Sequence, residues 1–297
     1  MKRIARDKHV FEFSSSLKPV AEVHPGEEVL FETLDSWAGR LMRPEDIHQG
    51  PDPRGVNPVT GPVFVRGAEP NDALVAEILT ITPHSPAINK ITASGGVLHG
   101  EISAPHCRFV DIVDGWILLS DDLRIALRPM IGCLGTAPSS GSLPTLDPGD
   151  HGGNMDHNDI REGVRVYLPV AVPGALFALG DVHAFMGDGE VSGAGLDCSA
   201  DVTVRFDLRK GLKVSRPLIE TSAEWVTCAS APELQRAVKL ATGDMVNLLT
   251  QRLEISREDA FLLVAAVGDA KIGQACASAI DATARMSFPK LGKLCSW

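Results

Sequence analysis

Punctuation constrains this chain most: 28 glycines and 20 prolines cut its first two thirds into short runs rich in Val, Ile, Leu and Thr. Proline and glycine stop helices and mark turns, whereas β-branched residues suit a pleated, half-buried surface. The rhythm predicts a mainly β protein, with a β-sandwich or barrel-like body. Residues 20–33 hold the Pro25-Gly26 turn and then Glu28-Val29-Leu30-Phe31-Glu32-Thr33, read as a strand that closes an early hairpin. In residues 57–68 two turn signals flank a short extended piece, and residues 72–81 read as a further strand. Residues 129–149 are so dense in Gly, Pro and Ser that they are expected to run as a loop. Beyond residue 205 the texture changes. Leu234, Val238, Leu240, Ala241, Met245, Leu248 and Leu249 recur at helical spacing and predict a helix over residues 231–253. Ser256, with Asp259 three residues on, resembles a capping box and opens a second helix before the apolar residues 260–267. A β-rich body over residues 1–205 and a smaller C-terminal α+β portion over residues 206–297 are therefore expected.

Charge and aromatic content remove several function classes. A net charge of −10 and a single tyrosine leave neither the basic surface nor the stacking platforms that nucleic acids require. No apolar run reaches the length of a membrane span, and the first sixteen residues mix Asp7 and Glu12 with basic residues and lack a signal-peptide core. Cys107, Cys133, Cys198, Cys228, Cys276 and Cys295 lie far apart with no CxxC pair. They are expected as reduced, buried, hydrophobe-like residues of a cytoplasmic protein.

Chemistry gathers between residues 150 and 190. Asp150-His151-Gly152-Gly153-Asn154-Met155-Asp156-His157 packs acids, imidazoles and an amide around paired glycines, and such donors suit a divalent cation. Taken alone the cluster fits a solvated turn equally well. Residues 175–184 read as a strand, on which a two-residue period sends Asp181 and His183 to one face. An ordinary ion pair would place the same two residues there. The Gly187-Asp188-Gly189 turn then returns Glu190 toward that end. The acids Asp150, Asp156, Asp181, Asp188 and Glu190 and three histidines, gathered within about forty residues between apolar strands, are more than surface chance supplies.

Pro148-Gly149-Asp150-His151-Gly152-Gly153-Asn154-Met155-Asp156, Tyr167-Leu168-Pro169-Val170 and Pro173-Gly174-Ala175-Leu176-Phe177 resemble the acetamidase/formamidase family. Gly180-Asp181-Val182-His183-Ala184 and Gly187-Asp188-Gly189-Glu190-Val191 carry its other motif. Asn57-Pro58-Val59-Thr60-Gly61-Pro62, Gly67-Ala68-Glu69-Pro70 and Ile272-Gly273-Gln274 extend the likeness over most of the chain. The resemblance implies a hydrolase, an amidase that cleaves formamide- or acetamide-like substrates to a carboxylate and ammonia, built as a homodimer or higher homo-oligomer. It carries over His151, Asn154, Asp156, Asp181, His183, Asp188 and Glu190. Phe185-Met186 and the Ser192-Gly193-Ala194-Gly195 stretch depart from the family pattern, and Phe185, beside His183, is expected to reshape the pocket.

On this reading His183 and Asp181, completed by Asp156 or His151, bind a divalent metal, zinc by its donor set, with calcium as a structural alternative. Glu190 is the candidate general base, Asn154 hydrogen-bonds the substrate amide or oxyanion, and Asp188 belongs to the same catalytic group. There is no GxSxG elbow for a serine route. The 139–142 segment reads as a flexible loop, and Cys133 sits in apolar surroundings that disfavour a thiolate. A non-catalytic β-sandwich that binds a metal and a small ligand is the alternative from another class. His24, His48, His84 and His106 read as surface or satisfied histidines; His99, among glycines, is a candidate pocket residue, and Asp35 resembles a family position without an assigned role.

Overall fold

Alternation is explicit in the strand Ala200–Arg209, where Ala200, Val202, Val204 and Phe206 are buried and the residues between them are not. The computed structural model describes residues 1–47, 55–92, 95–275 and 281–294; His48, Cys276 and Cys295 lie outside them. The protein is mainly β, with 43% of it in strands and 13% helical. Its described strands form a nine-stranded sheet, an eleven-stranded sheet and a two-stranded pair.

In the nine-stranded sheet Ala200–Arg209 lies between Glu28–Thr33 and Ala73–Pro83, antiparallel to both. Arg165–Pro169, Leu218–Glu220, Glu224–Ala231, Ala282–Pro289 and Asp269–Ile272 extend the sheet beyond Ala73–Pro83. Strands from residues 206–297 thus continue the sheet begun by residues 1–205. The eleven-stranded sheet centres on Phe177–His183 and Met130–Gly135, both buried throughout. The two sheets face each other across one apolar core. Phe31 and Phe206 from one and Phe177 from the other meet there, with Phe177 5.9 Å from Phe31 and 5.1 Å from Phe206, edge to face. Such pairs add about 0.5–1.5 kcal/mol each beyond burial and pin the base of the strand that carries Asp181 and His183.

The far face of the nine-stranded sheet is covered by two helices. Leu74 and Ala76 point into the inter-sheet core, whereas Ala73 and Val75, alternate residues of the same strand, point to the helices. Helix α1, Leu234–Leu253, buries Ala237, Ala241, Met245, Val246 and Leu249 on one stripe. Helix α2, Arg257–Val267, opens with Ser256 as its cap, the hydroxyl accepting the Asp259 N–H at 3.0 Å. Both helices stand where hydrophobic spacing placed them.

Three expectations are corrected. Glu28–Thr33 closes no hairpin: Ala21–Val23 pairs in parallel with Val59–Val65 in the other sheet, so the Pro25-Gly26 turn is a corner between sheets. Thr60-Gly61-Pro62 lies inside the strand Val59–Val65 instead of marking a turn. Residues 129–149 hold a buried central strand, Met130–Gly135, and an edge strand, Ser142–Pro144. Gly132 and Gly135, two of the glycines that signalled a loop there, are strand residues over which other groups approach closely. Cys107, Cys133, Cys198 and Cys228 are free and buried, as expected.

Candidate active site

One edge of Phe177–His183 pairs with Met130–Gly135 on either side of Asp181. The opposite edge forks. Val59–Val65 pairs with it as far as Gly180, and Leu196–Cys198 takes over from Val182. Asp181 stands at the fork with a left-handed backbone, φ 53°, which Asp tolerates better than most residues. The strand Gly152–Asn154 flanks the far edge of Met130–Gly135, and Met155 and Asp156 both donate their N–H to the Gly132 carbonyl, at 3.0 and 3.1 Å. Gly132 therefore lies between two acids. A methyl there would meet Asp181 O and Oδ2 at 2.9 Å and Asp156 Oδ1 closer still.

His183 completes the group. Its Nε2 is 3.5 Å from Asp181 Oδ1 and its Nδ1 is 3.8 Å from Asp156 Oδ1. Donor atoms of Asp156, Asp181 and His183 lie within 4.8 Å of one another, all three residues buried. Gly195 makes room for the ring, since a methyl at that position would sit 2.7 Å from His183 Cγ and Nδ1. Asn57 donates to Asp181 Oδ2 at 2.9 Å and to Asn154 Oδ1 at 3.1 Å. Gln274 donates to Asp156 Oδ2 and to the Asn154 carbonyl, both at 2.6 Å. Asp156 Oδ1 and His183 Nδ1 are buried without a hydrogen bond. Two aligned but unsatisfied donor atoms in a sealed site of carboxylates and an imidazole fit a divalent cation.

Above this floor opens a cavity of about 220 Å³, bounded by Trp37, Asn57, Lys90, Asn154, Glu190 and Gln274 among others. That is below the range of about 300–1,000 Å³ usual for drug-sized ligands and suits a small molecule. Glu190 lies in its wall, and burial, then the nearby charge of Asp156, push its carboxyl well above the ordinary range. Burial, reinforced by Asp181, lifts Asp156 to about 7. For His183 burial works the other way, but Asp181, Asp197 and Asp156 outweigh it and raise the imidazole to about 10. These shifts describe charges crowded together, the condition a cation relieves.

The expected site residues divide. Asp156, Asp181 and His183 form the group, while Glu190 and Asn154 line the cavity. His151 is held elsewhere: it packs edge to face on Phe13 at 5.0 Å, with both ring nitrogens unpartnered, and burial lowers it to about 4. Asp188 turns away from the cavity and accepts from Arg285 and Asn158, each at 2.7 Å. Phe185 does not reshape this pocket. Its ring lies 4.4 Å from the Arg128 guanidinium and borders a separate cavity of about 290 Å³. His99 is exposed, although Gly95 and Gly96 reach the cavity wall. Asp150 is exposed and pairs with Arg216 at 3.0 Å. Asp35 has a local role, its Oδ1 accepting the N–H of Trp37 at 2.8 Å and of Gly39 at 3.1 Å, which shapes the turn behind Trp37.

Other pocket residues were not singled out from sequence. Asp197 places Oδ1 3.3 Å from His183 Nε2, and its Oδ2 accepts from Ser36 at 2.5 Å and faces Lys90 Nζ at 3.1 Å. Lys90 also lies over the Trp37 ring, 4.5 Å from its centre. Burial would raise Asp197, but Lys90, His183 and the Ser36 hydroxyl hold it below its ordinary value. Asp197 and Lys90 lie in short strands away from the local clusters, and only the pairing of Leu196–Cys198 with Ala87–Ile91 and Phe177–His183 brings them here.

Comparison with known proteins gives the family. A formamidase of Methylophilus methylotrophus is 26% identical over an alignment that takes in 66% of the chain and 62% of that protein. The chain thus spans less than two thirds of that relative's length. Among solved structures, a predicted acetamidase/formamidase from Thermoanaerobacter tengcongensis superposes with a TM-score of 0.93 at 38% identity, covering 97% of this chain and 95% of that one. An acetamidase from Bacillus halodurans gives a TM-score of 0.92 at 35% identity, with 97% of each chain covered. The model of the Acetamidase/Formamidase family matches residues 5–145 and 140–281, a span that takes in every residue of the buried acid–histidine group, and the chain belongs to that family.

Proposed function

We propose that the chain hydrolyses a short linear amide, formamide- or acetamide-like, to a carboxylate and ammonia, with a divalent metal held by Asp156, Asp181 and His183. The observation that carries this reading is the small cavity with a raised carboxyl, Glu190, in its wall and a sealed acid–histidine floor beneath. Family membership and the names of the relatives support the amide class, and a volume of about 220 Å³ favours a substrate of few atoms. Imidazole beside carboxylates favours zinc over calcium, and Asp197 Oδ1, also without a hydrogen bond, faces His183 Nε2 at 3.3 Å. When bound, such an ion polarises a carbonyl and acidifies water.

An amide resists hydrolysis because its carbonyl is resonance-stabilised and its nitrogen leaves poorly, so protons must be moved in both directions. Glu190 suits that work. A carboxylate standing in the cavity wall can accept a proton from the attacking water and return it to the departing nitrogen. Asn57 occupies Asn154 Oδ1, which leaves the Asn154 amide N–H groups to orient the substrate carbonyl or stabilise the developing oxyanion. Gln274 and Asn57 each fix one carboxylate, so neither acid has to reorganise as charge develops. Placement in a cytoplasm, which rests on the scattered cysteines, and assembly into a homo-oligomer, which rests on the family likeness, belong to the same reading.

The test is ammonia release from formamide, acetamide, propionamide and urea, measured with the metal-replete protein and again after chelation and dialysis. Release from the smallest amides, lost on chelation and restored by zinc, is the expected outcome. A metal-replete protein inactive on the whole panel would sink the proposal and leave a binding module in its place.

A further inference from the structure

Arg285 is 2% exposed and belongs to no part of the cavity wall, yet its guanidinium reaches three separate segments. Its Nε donates to Asp159 Oδ2 at 2.5 Å, Nη1 to the Ile272 carbonyl at 2.9 Å, and Nη2 to Asp188 Oδ1 at 2.7 Å. Each contact falls within three residues of a site group: Asp159 follows Asp156, Ile272 precedes Gln274, and Asp188 precedes Glu190. Asn158 donates to the same oxygen of Asp188 at 2.7 Å, tying the first segment to the third a second time. Backbone bonds close the assembly. Gly189 donates to the Gly273 carbonyl at 3.0 Å, and Ala275 donates to the Gly189 carbonyl at 2.8 Å.

We infer that Arg285 and Asp188 form a positioning clamp that holds the Glu190 turn against the Gln274 and Asp156 segments, and so sets where the Glu190 carboxyl stands in the cavity. The inference rests on the reading of Glu190 as the proton carrier. The turn needs such a clamp because it is built from Gly187 and Gly189, with Glu190 itself at φ 41°, and glycine-rich backbone resists displacement poorly. A planar guanidinium with a forked set of donors can satisfy three acceptors at once, which a lysine ammonium on a flexible stem cannot do in the same geometry. This also explains why an acid stands at 188 without facing the substrate space.

Two readouts test the clamp. Hydrogen–deuterium exchange of the full-length, metal-replete protein is compared for the wild type, Asp188→Ala, Asp188→Asn and Arg285→Lys, and kcat and KM are measured on the best amide. Asp188→Ala and Arg285→Lys are expected to raise exchange in peptides spanning residues 186–191 while the α1 and α2 peptides and the metal content stay unchanged. Their kcat should fall on the order of 10- to 100-fold, as a misplacement of about 1 Å does, with KM within about threefold. Asp188→Asn keeps the acceptor oxygen and is expected to rescue most of the loss, a result that lost charge or general instability would not give. Unchanged exchange in both disruptive variants overturns the inference whatever the activity, and so does raised exchange with unchanged kcat. Should the wild type release no ammonia from any amide, the hydrolase reading falls, and the exchange data still decide whether the clamp exists.

Discussion

The replacement Gly132→Ala probes the centre of the site with one carbon atom. The added methyl would lie 2.9 Å from Asp181 O and Oδ2, and closer still to Asp156 Oδ1. Carbon–oxygen contacts settle at about 3.3–3.6 Å, so each Asp181 contact is short by about 0.5 Å. Neither acid can swing aside freely, because Asn57 holds one and Gln274 the other, and the strand beneath is paired on both edges. Overpacking of this kind costs about 1–3 kcal/mol. At about 2–4 °C per kcal/mol for a chain approaching this size, the midpoint of thermal unfolding should drop by roughly 2–10 °C. The functional effect should be larger, since the wedge parts the carboxylates that would share an ion, and loss of most bound zinc by elemental analysis is expected. Gly243→Ala is the matched control: the same chemical change in helix α1, where a methyl meets nothing within 4 Å. It should stabilise by about 0.5–1 kcal/mol through helix propensity. A Gly132→Ala protein with wild-type zinc stoichiometry and unfolding midpoint would refute the argument that this residue is glycine to admit the two acids.

Further outcomes follow from the same coordinates. Glu190→Gln should abolish ammonia release with metal content unchanged, and turnover within a few-fold of wild type would remove Glu190 from proton transfer. His183→Ala should lose the ion after dialysis, and full occupancy would dismiss it as a ligand. Ser256→Ala removes the cap of α2 and should cost about 1 kcal/mol in urea unfolding; no change would show that the turn holds without the hydroxyl. Asp188 is depressed below its ordinary 3.8, since Asn158 and Arg285 outweigh its partial burial. Its contribution to stability is therefore present above about pH 4 and lost as pH falls through the lower folded value, so Asp188→Asn should flatten the acid limb of a stability–pH curve, and an unaltered limb would count against the pairing.

Much of the fold was legible because burial and period agree. Residues 28–33, 72–81 and 175–184 read as strands and form Glu28–Thr33, Ala73–Pro83 and Phe177–His183, and Ala241, Met245 and Leu249 announce α1. The reading failed at Met130–Gly135 because glycine marks both a turn and a place where other groups crowd the backbone, and local sequence does not separate the two. The acids and histidine of the site were legible as dense local clusters. His151 misled because proximity along the chain to Asp156 is not proximity in space: the strand Gly152–Asn154 lies between them and sends the imidazole to Phe13. Asp197 and Lys90 were illegible for the converse reason. Neither belongs to a local cluster of acids and histidines, and their meaning comes from strands paired across many residues.

The forked edge at Asp181 has a consequence for how this architecture diversifies. Two unconnected strands share one ledge, and Asp181 stands in the interval they leave between them. The breadth of that interval is governed by how far apart they land. Lengthening or shortening the connection from His183 to Leu196 would change it and would carry Glu190 with it, because the turn held by Arg285 lies within that connection.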